Sequence, residues 1–275
     1  MKIGIVGAGR AGTAIGGFLK QKGMDVTGFY SRTIQSAVDS AVKTDTKAFP
    51  KLRDLYLQND VFVIAAADDA IRKVAMALSQ WDLQDKILCH LSASYPATCL
   101  NVGKCDEATY LALHPLANFS SKQPPEKLMF ALEGDGPRAE QLVETFKQHG
   151  VDVKPMTLEK IFIFYLAISF LNPGAVTMVG IGRELLRSIG IYDCSPFVDV
   201  LTENYRNAIT APNIRDALTG PIATEDTAAI KRLLNATQSV PPDVARLFKE
   251  ISAKSMSFSR LDNYAKSRVS DLLGI

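Results

Sequence analysis

Close to its start the chain turns from a short apolar run into glycines. Residues 2–6 (Lys2-Ile3-Gly4-Ile5-Val6) are followed by Gly7-Ala8-Gly9-Arg10-Ala11-Gly12. Gly-x-Gly-x-x-Gly is a weak signal alone and a constraining one where it follows a strand and opens a helix. Thr13 to Lys22 places Ala14, Ile15, Phe18 and Leu19 at helical spacing, and Gly23 closes that helix. Residues 25–30 read as a second strand. Strand, glycine loop, helix and strand within about 30 residues make a βαβ unit. In such a unit Gly7 supplies the tight turn, Gly9 lets a pyrophosphate approach the backbone, and Gly12 lets helix and sheet pack closely. The helix start offers free N–H groups and the positive end of its dipole to the phosphates. Residues 7–12, with Ala8, Arg10 and Ala11 between the glycines, are the expected core of a dinucleotide site.

The second strand ends Tyr30-Ser31-Arg32-Thr33. A site selective for NAD normally has an acid here for the ribose 2′-hydroxyl, and the next acid in this chain is Asp39. Arg32 between two hydroxyls suits a 2′-phosphate instead, through charge-assisted hydrogen bonds. NADP is therefore the expected cofactor, held by Ser31, Arg32 and Thr33; the plainer alternative is a solvated arginine.

The alternation continues. Residues 60–67 form a β-branched apolar run, as a buried parallel strand does. Asp68-Asp69 opens a helix with Ile71, Val74, Ala75 and Leu78 on one face. Residues 86–91, 110–114, 128–132 and 151–153 read as further strands, and Pro137 starts a helix carrying Ala139, Leu142, Val143 and Phe146. After about residue 155 the apolar spacing is helical throughout; Val244, Leu247, Phe248 and Ile251 line one late helix. The expected fold is α/β: a doubly wound Rossmann domain over residues 1–155 and an all-helical domain over residues 156–275.

Composition narrows the classes. Lys plus Arg number 31 against 29 Asp plus Glu, which gives no bulk field for nucleic acid or a membrane surface. Four cysteines lack C-x-x-C spacing and three histidines are scattered, so no metal site is expected and the thiols read as free in a reducing cytoplasm. Residues 161–182 carry no charge and are long enough to span a bilayer. Asn172-Pro173-Gly174 at the centre argues for the other source of such a run, a helix buried in a dimer core or a domain interface.

The strand tips carry the remaining candidates, because ligands of open α/β sheets lie outside the carboxyl ends of the strands. Ala66 and Ala67 end one strand beside the cofactor; Asp68 next to them reads equally as a helix cap. Ser92 or Ser94 either holds a substrate oxygen or caps a turn. His90 lies within its strand, where a satisfied core histidine is the simpler reading. His114-Pro115 ends the next strand and leaves the imidazole at the rim, a place for a proton donor that titrates near neutrality. Asn172 sits mid-run in an apolar helix, where an unpaired buried amide costs roughly 1–3 kcal/mol. Its partner is substrate, nicotinamide or the backbone freed by Pro173. Thr219-Gly220-Pro221 reads as a helix–helix connection.

Several of these motifs recur together. Gly7-x-Gly9-x-x-Gly12, Ser31-Arg32, His90-Leu91-Ser92, Leu113-His114-Pro115-Leu116, Glu133-Gly134-Asp135 and the stretch from Ala217 to Ala223 follow one another in an order that resembles a family of Rossmann-like NADP oxidoreductases with a C-terminal domain of unknown function. The architecture is similar to pyrroline-5-carboxylate reductase, 6-phosphogluconate dehydrogenase and ketopantoate reductase. The resemblance implies a homodimer built through the helical domain and an active site in the interdomain cleft. Two departures stand out. Where the family carries a tyrosine–histidine pair entering the long apolar helix, this chain has Phe164-Tyr165-Leu166 and keeps Asn172. After Ile222-Ala223 the family has an arginine, a glycine and an aspartate; here Thr224-Glu225-Asp226 stands.

The expectation is a cytoplasmic NADP-dependent oxidoreductase acting on a small carbonyl, imine or hydroxy-acid substrate, with no nucleic-acid or membrane partner. His114 would move the proton, and Ser92 and Asn172 would orient the substrate. The alternative is a non-catalytic NADP-binding regulatory protein that kept the fold.

Overall fold

The computed structural model describes all residues except 104, 118, 120 and 121. Residues 1–169 and 170–275 form two compact units.

The first unit is built on one eight-stranded sheet: β1 (Lys2–Val6), β2 (Asp25–Tyr30), β3 (Lys47–Phe49), β4 (Val61–Ile64), β5 (Ile87–His90), β6 (Thr109–Pro115), β7 (Met129–Asp135) and β8 (Asp152–Pro155). Their spatial order is β3-β2-β1-β4-β5-β6-β7-β8. The first six strands are parallel, β7 is antiparallel to β6, and β8 is parallel to β7. The order reverses beside β1, so the glycine loop sits at the topological switch point, where Rossmann folds take their ligand.

Alternation along the strands divides the core between the two faces. Ile3, Ile5, Val61, Val63, Ile87, Cys89, Leu111 and Leu113 face one layer, with Phe18 and Leu19 of α1 (Arg10–Gln21), Ala37 and Ala41 of α2 (Ile34–Thr44), and Leu142 and Phe146 of α5 (Ala139–Gln148). Val6, Phe62, Ile64 and Leu88 face the other, against Leu55 of α3 (Leu52–Gln58) and Ile71, Ala75 and Leu78 of α4 (Asp68–Leu78). Each large apolar side chain buried this way contributes roughly 1.5–3 kcal/mol. The unit ends with α6 (Leu158–Ser169).

The second unit is helical. A π turn over Phe170–Gly174 leads into α7 (Ala175–Ser188). Pro173 lies inside that turn, and a proline there removes an N–H and crowds the preceding turn, which widens the helix. Then follow α8 (Val198–Thr210), the short α9 (Pro221–Thr224), α10 (Thr227–Ala236), α11 (Pro242–Phe258) and α12 (Asn263–Leu273). The buried apolar cluster here is small: Ile230, Val269 and Leu273. The chain therefore has the expected class, a mixed Rossmann-like sheet with interspersed helices followed by a largely helical region.

Residues 161–182 stay uncovered within the single chain. The run is not buried: the helical stretch Leu158–Ser188 is 31 residues long, apolar enough to cross a membrane by length and composition, and 6% of its apolar window is buried. An all-round apolar helix hides itself only against a partner on every side, and one chain does not provide that. Asn172 is accordingly exposed, so the desolvation cost that demanded a partner for its amide does not arise within the chain.

Candidate functional site

The glycine loop has the geometry of a phosphate cradle. Gly7 adopts φ +115°, and a Cβ there would strike the Ala65 carbonyl. A Cβ on Gly12 would strike the Gly7 carbonyl, so that glycine brings α1 hard against the loop. At Gly9 a Cβ would meet nothing within 4 Å; the space before its backbone is open. Gly9 is the N-cap of α1, no side chain caps the helix, and the first turn holds no acid. The first N–H groups of α1 are thus left for a ligand. The loop is fixed from behind. Thr13 Oγ1 donates to the Gly9 carbonyl at 2.8 Å and lies 2.7 Å from Ser40 Oγ, which reaches the Ala8 carbonyl at 3.3 Å. These residues fit a dinucleotide pyrophosphate. Arg10 is exposed and Ala11 half-exposed at the helix start.

Ser31, Arg32 and Thr33 follow β2 directly, one strand away from β1 in the sheet. Arg32 and Thr33 are exposed, and Arg32 enters no ion pair among the described residues. Thr33 is the N-cap of α2 without a side-chain bond. Ala66 and Ala67 follow β4 on the other side of the loop. Ala67, not Asp68, is the N-cap of α4, and Asp68 stands in its first turn.

The tips of β5 and β6 form a second cluster. His90 is fully buried and satisfied: Nδ1 accepts from the Ser92 N–H at 3.2 Å, and Nε2 lies 3.3 Å from the Pro96 carbonyl. Burial holds its pKa below the ordinary range, against the opposing effects of the Pro96 backbone and the Asp68 charge. Ser92 Oγ accepts from the Ser94 N–H at 3.0 Å, which caps the turn. From β7, the buried Glu133 accepts the Ala97 N–H at 2.7 Å and clasps the far end of the same loop.

His114 is not at an open rim. It is 2% exposed. Its Nδ1 lies 2.6 Å from Oη of Tyr165 on α6, the two rings meeting edge to face with centroids 5.3 Å apart. The His90 ring stands 6.3 Å away, also edge on. Burial first, then His90, lowers the His114 pKa to about 4, and the Ser92 backbone partly opposes this. Burial likewise pushes the Tyr165 phenol up to about 12. At neutral pH the pair is thus a protonated phenol against a neutral imidazole.

Tyr165 is the member of this cluster that sequence reasoning leaves out, standing as it does where the tyrosine–histidine pair is missing. A usable signal exists: it is the one phenol in the charge-free run 161–182. The other departure has a local account. Asp226 caps α10 by accepting the Ala229 N–H at 2.9 Å, and Glu225, in the left-handed region, pairs with Arg268. Gly220, at φ +96°, and Pro221 make the turn into α9.

Two family profiles match the chain in succession. One described as NADP oxidoreductase, coenzyme F420-dependent, matches residues 2–94, and a domain of unknown function, DUF2520, matches residues 128–255. Each profile covers less than half of the chain, one over its Rossmann-like start and the other over its later part. No curated protein sequence matches it. Among solved structures it is similar to a candidate NADP oxidoreductase from Bacteroides fragilis, at 20% identity and TM-score 0.75, over 94% of this chain and 98% of that one. It is also similar to a pyrroline carboxylate reductase from Plasmodium falciparum with NADP bound, at 12% identity and TM-score 0.59, over 99% and 98%. A third is a variant imine reductase from Myxococcus stipitatus in complex with NAD+, at 16% identity and TM-score 0.57, over 98% of each chain. At these identities the likeness is one of fold, and the relatives hold either dinucleotide.

Proposed function

We propose that this protein is an NADP-dependent oxidoreductase that moves a hydride between a nicotinamide and a small carbonyl, imine or hydroxy-acid substrate. The observation that carries this reading is the cradle at the switch point: an open Gly9 backbone, a strained Gly7 turn and an uncapped helix start in one place. The nicotinamide supplies the hydride chemistry when bound; the chain supplies position and electrostatics. Residues 7–12 bind the pyrophosphate, Ser31, Arg32 and Thr33 bind the 2′-phosphate, and Ala66 and Ala67 line the dinucleotide between them. Ser92 and Asn172 orient the substrate, and His114 belongs to the proton path.

The same reading makes the protein a cytoplasmic homodimer joined through its helical domain. Support comes from the outward apolar side chains along α6, the π turn and α7, such as Phe162 (63% exposed), Phe170 (71%) and Val176 (66%). A stable dimer interface buries at least about 1,200 Å² in total.

Calorimetry with NADP and NAD tests the cofactor assignment. A charge-assisted hydrogen bond contributes about 1.5–3 kcal/mol, so NADP binds about tenfold or more tighter, and Arg32→Ala removes most of the difference. Equal affinities in the wild type overturn it. Tight NADP binding without turnover on any carbonyl or imine is the result expected of a regulatory NADP-binding protein.

A further inference from the structure

The hydrogen bond between Tyr165 and His114 has a direction, and the direction divides the work between them. A neutral imidazole carries one N–H. The Ser92 backbone bonds the ring and favours its protonated form, as a carbonyl acceptor does. Nδ1 is taken by the phenol at 2.6 Å, which leaves Nε2 as the nitrogen that carries the proton toward Ser92. Nδ1 then holds the lone pair, and the Tyr165 O–H is the donor. Tyr165 and the Ser92 backbone both bond the ring, which is buried. Tyr165 is half-exposed, with oxygen lone pairs left to accept.

We propose that Tyr165 is the side chain that meets the reacting oxygen or nitrogen of the substrate, and that His114 is a positioning residue behind it that takes the phenolic proton at Nδ1. This rests on the oxidoreductase reading above. In the oxidising direction a substrate hydroxyl or amine gives its proton to Tyr165 Oη while the phenolic proton passes to His114 Nδ1. The C–H bond breaks, and its electron pair leaves as hydride for the oxidised nicotinamide. The substrate, oxidised by two electrons, becomes a carbonyl or imine; the cofactor is reduced by two; the imidazolium returns its proton to Tyr165, whose half-exposed hydroxyl passes one to solvent once the product leaves. Reduction runs the same path in reverse.

The environment suits the relay. A phenol held protonated and an imidazole held neutral stay in the starting state across neutral pH. An imidazolium formed in this site is more acidic than a free one and does not keep the proton at neutral pH. Among the described residues the titratable groups acting on His114 are His90 from β5 and Tyr165 from α6. Asp68 acts on His90.

Long-range proton–nitrogen NMR of the full chain at pH 7 tests the direction without any cofactor. The expected result is His114 protonated on Nε2 and bare on Nδ1; the opposite tautomer overturns the relay. NADPH oxidation with pyruvate, acetone and 1-pyrroline tests the contact. Tyr165→Phe lowers kcat by about 100-fold or more, while NADPH affinity by fluorescence titration stays within about twofold. His114→Phe slows turnover and removes the acid limb of the pH profile, which a merely structural contact would leave in place. NADPH binding with a Tyr165→Phe kcat within about threefold of wild type removes this proposal alone. No NADPH binding to the wild type removes the oxidoreductase reading and this proposal together.

Discussion

The two units treat their apolar residues in opposite ways. In the sheet unit both faces of the strands are covered, and Phe18, Phe29, Phe62, Phe130 and Phe146 are almost wholly out of solvent. In the helical unit α7 and α8 bury no residue at all, although α7 is rich in valine, methionine and leucine. Composition does not separate the two; closure does. A sheet with helices on both faces completes its own core. Helices that are apolar on more than one side remain incomplete until something else covers them.

The sharpest way to break this contrast is a pair of truncations. Phe130→Ala removes a ring packed against Phe18 and Phe146 and lowers the unfolding free energy by about 3–5 kcal/mol at any protein concentration. Phe170→Ala should cost stability only where copies associate, and its effect should fade on dilution. Denaturant titrations at high and low concentration compare them; a Phe170→Ala cost that survives dilution means the helical unit is closed on itself.

Acid sensitivity should also belong to the sheet unit. His114 titrates near 6.5 when unfolded and near 4 in the native chain. Between those values the unfolded chain binds more protons, so stability is full above about pH 6.5 and falls as pH drops toward 4. The loss is on the order of 3 kcal/mol, and the lowered pKa of His90 acts in the same direction. His114→Gln should flatten the slope in melts from pH 7 to pH 4; an unchanged slope would place the burial elsewhere. The smallest expected effect is at the exposed face. Val176→Asp should weaken self-association by about 10- to 100-fold, worth roughly 1.4–2.8 kcal/mol, and leave the melting of a dilute sample unchanged. Sedimentation without detergent reads this directly, and detergent-dependent solubility would make the run a membrane helix instead.

Much of the sheet unit was legible because its signals are local. Glycine spacing, strand composition and the helical faces of α1, α4 and α5 each sit within a dozen or so residues. Three things were not. The helix α2 hides its face: Ile34, Val38 and Val42 repeat every four residues and point outward, while Ala37, Ser40, Ala41 and Thr44 are buried. Small residues let that helix approach α1 closely, so apolar spacing marks the wrong side. The reversal of β7 is invisible because alternation carries no direction. The Tyr165–His114 bond joins residues 51 apart, and no periodicity links a strand end to a helix face across that distance. Asn172 lies among apolar neighbours in sequence and is exposed in the single chain, so its partner is not readable from local spacing either.

The clasp by Glu133 separates the shape of the β5 loop from its chemistry. Three side chains fix the loop through its backbone: His90 takes the Ser92 N–H and faces the Pro96 carbonyl, Ser92 Oγ takes the Ser94 N–H, and Glu133 takes the Ala97 N–H. Ala93, Ser94 and Tyr95 are exposed, and their side chains make none of these bonds. Those three side chains can therefore change without the loop losing its course, so sequence variation is tolerated here that the anchors His90, Ser92 and Glu133 would not allow.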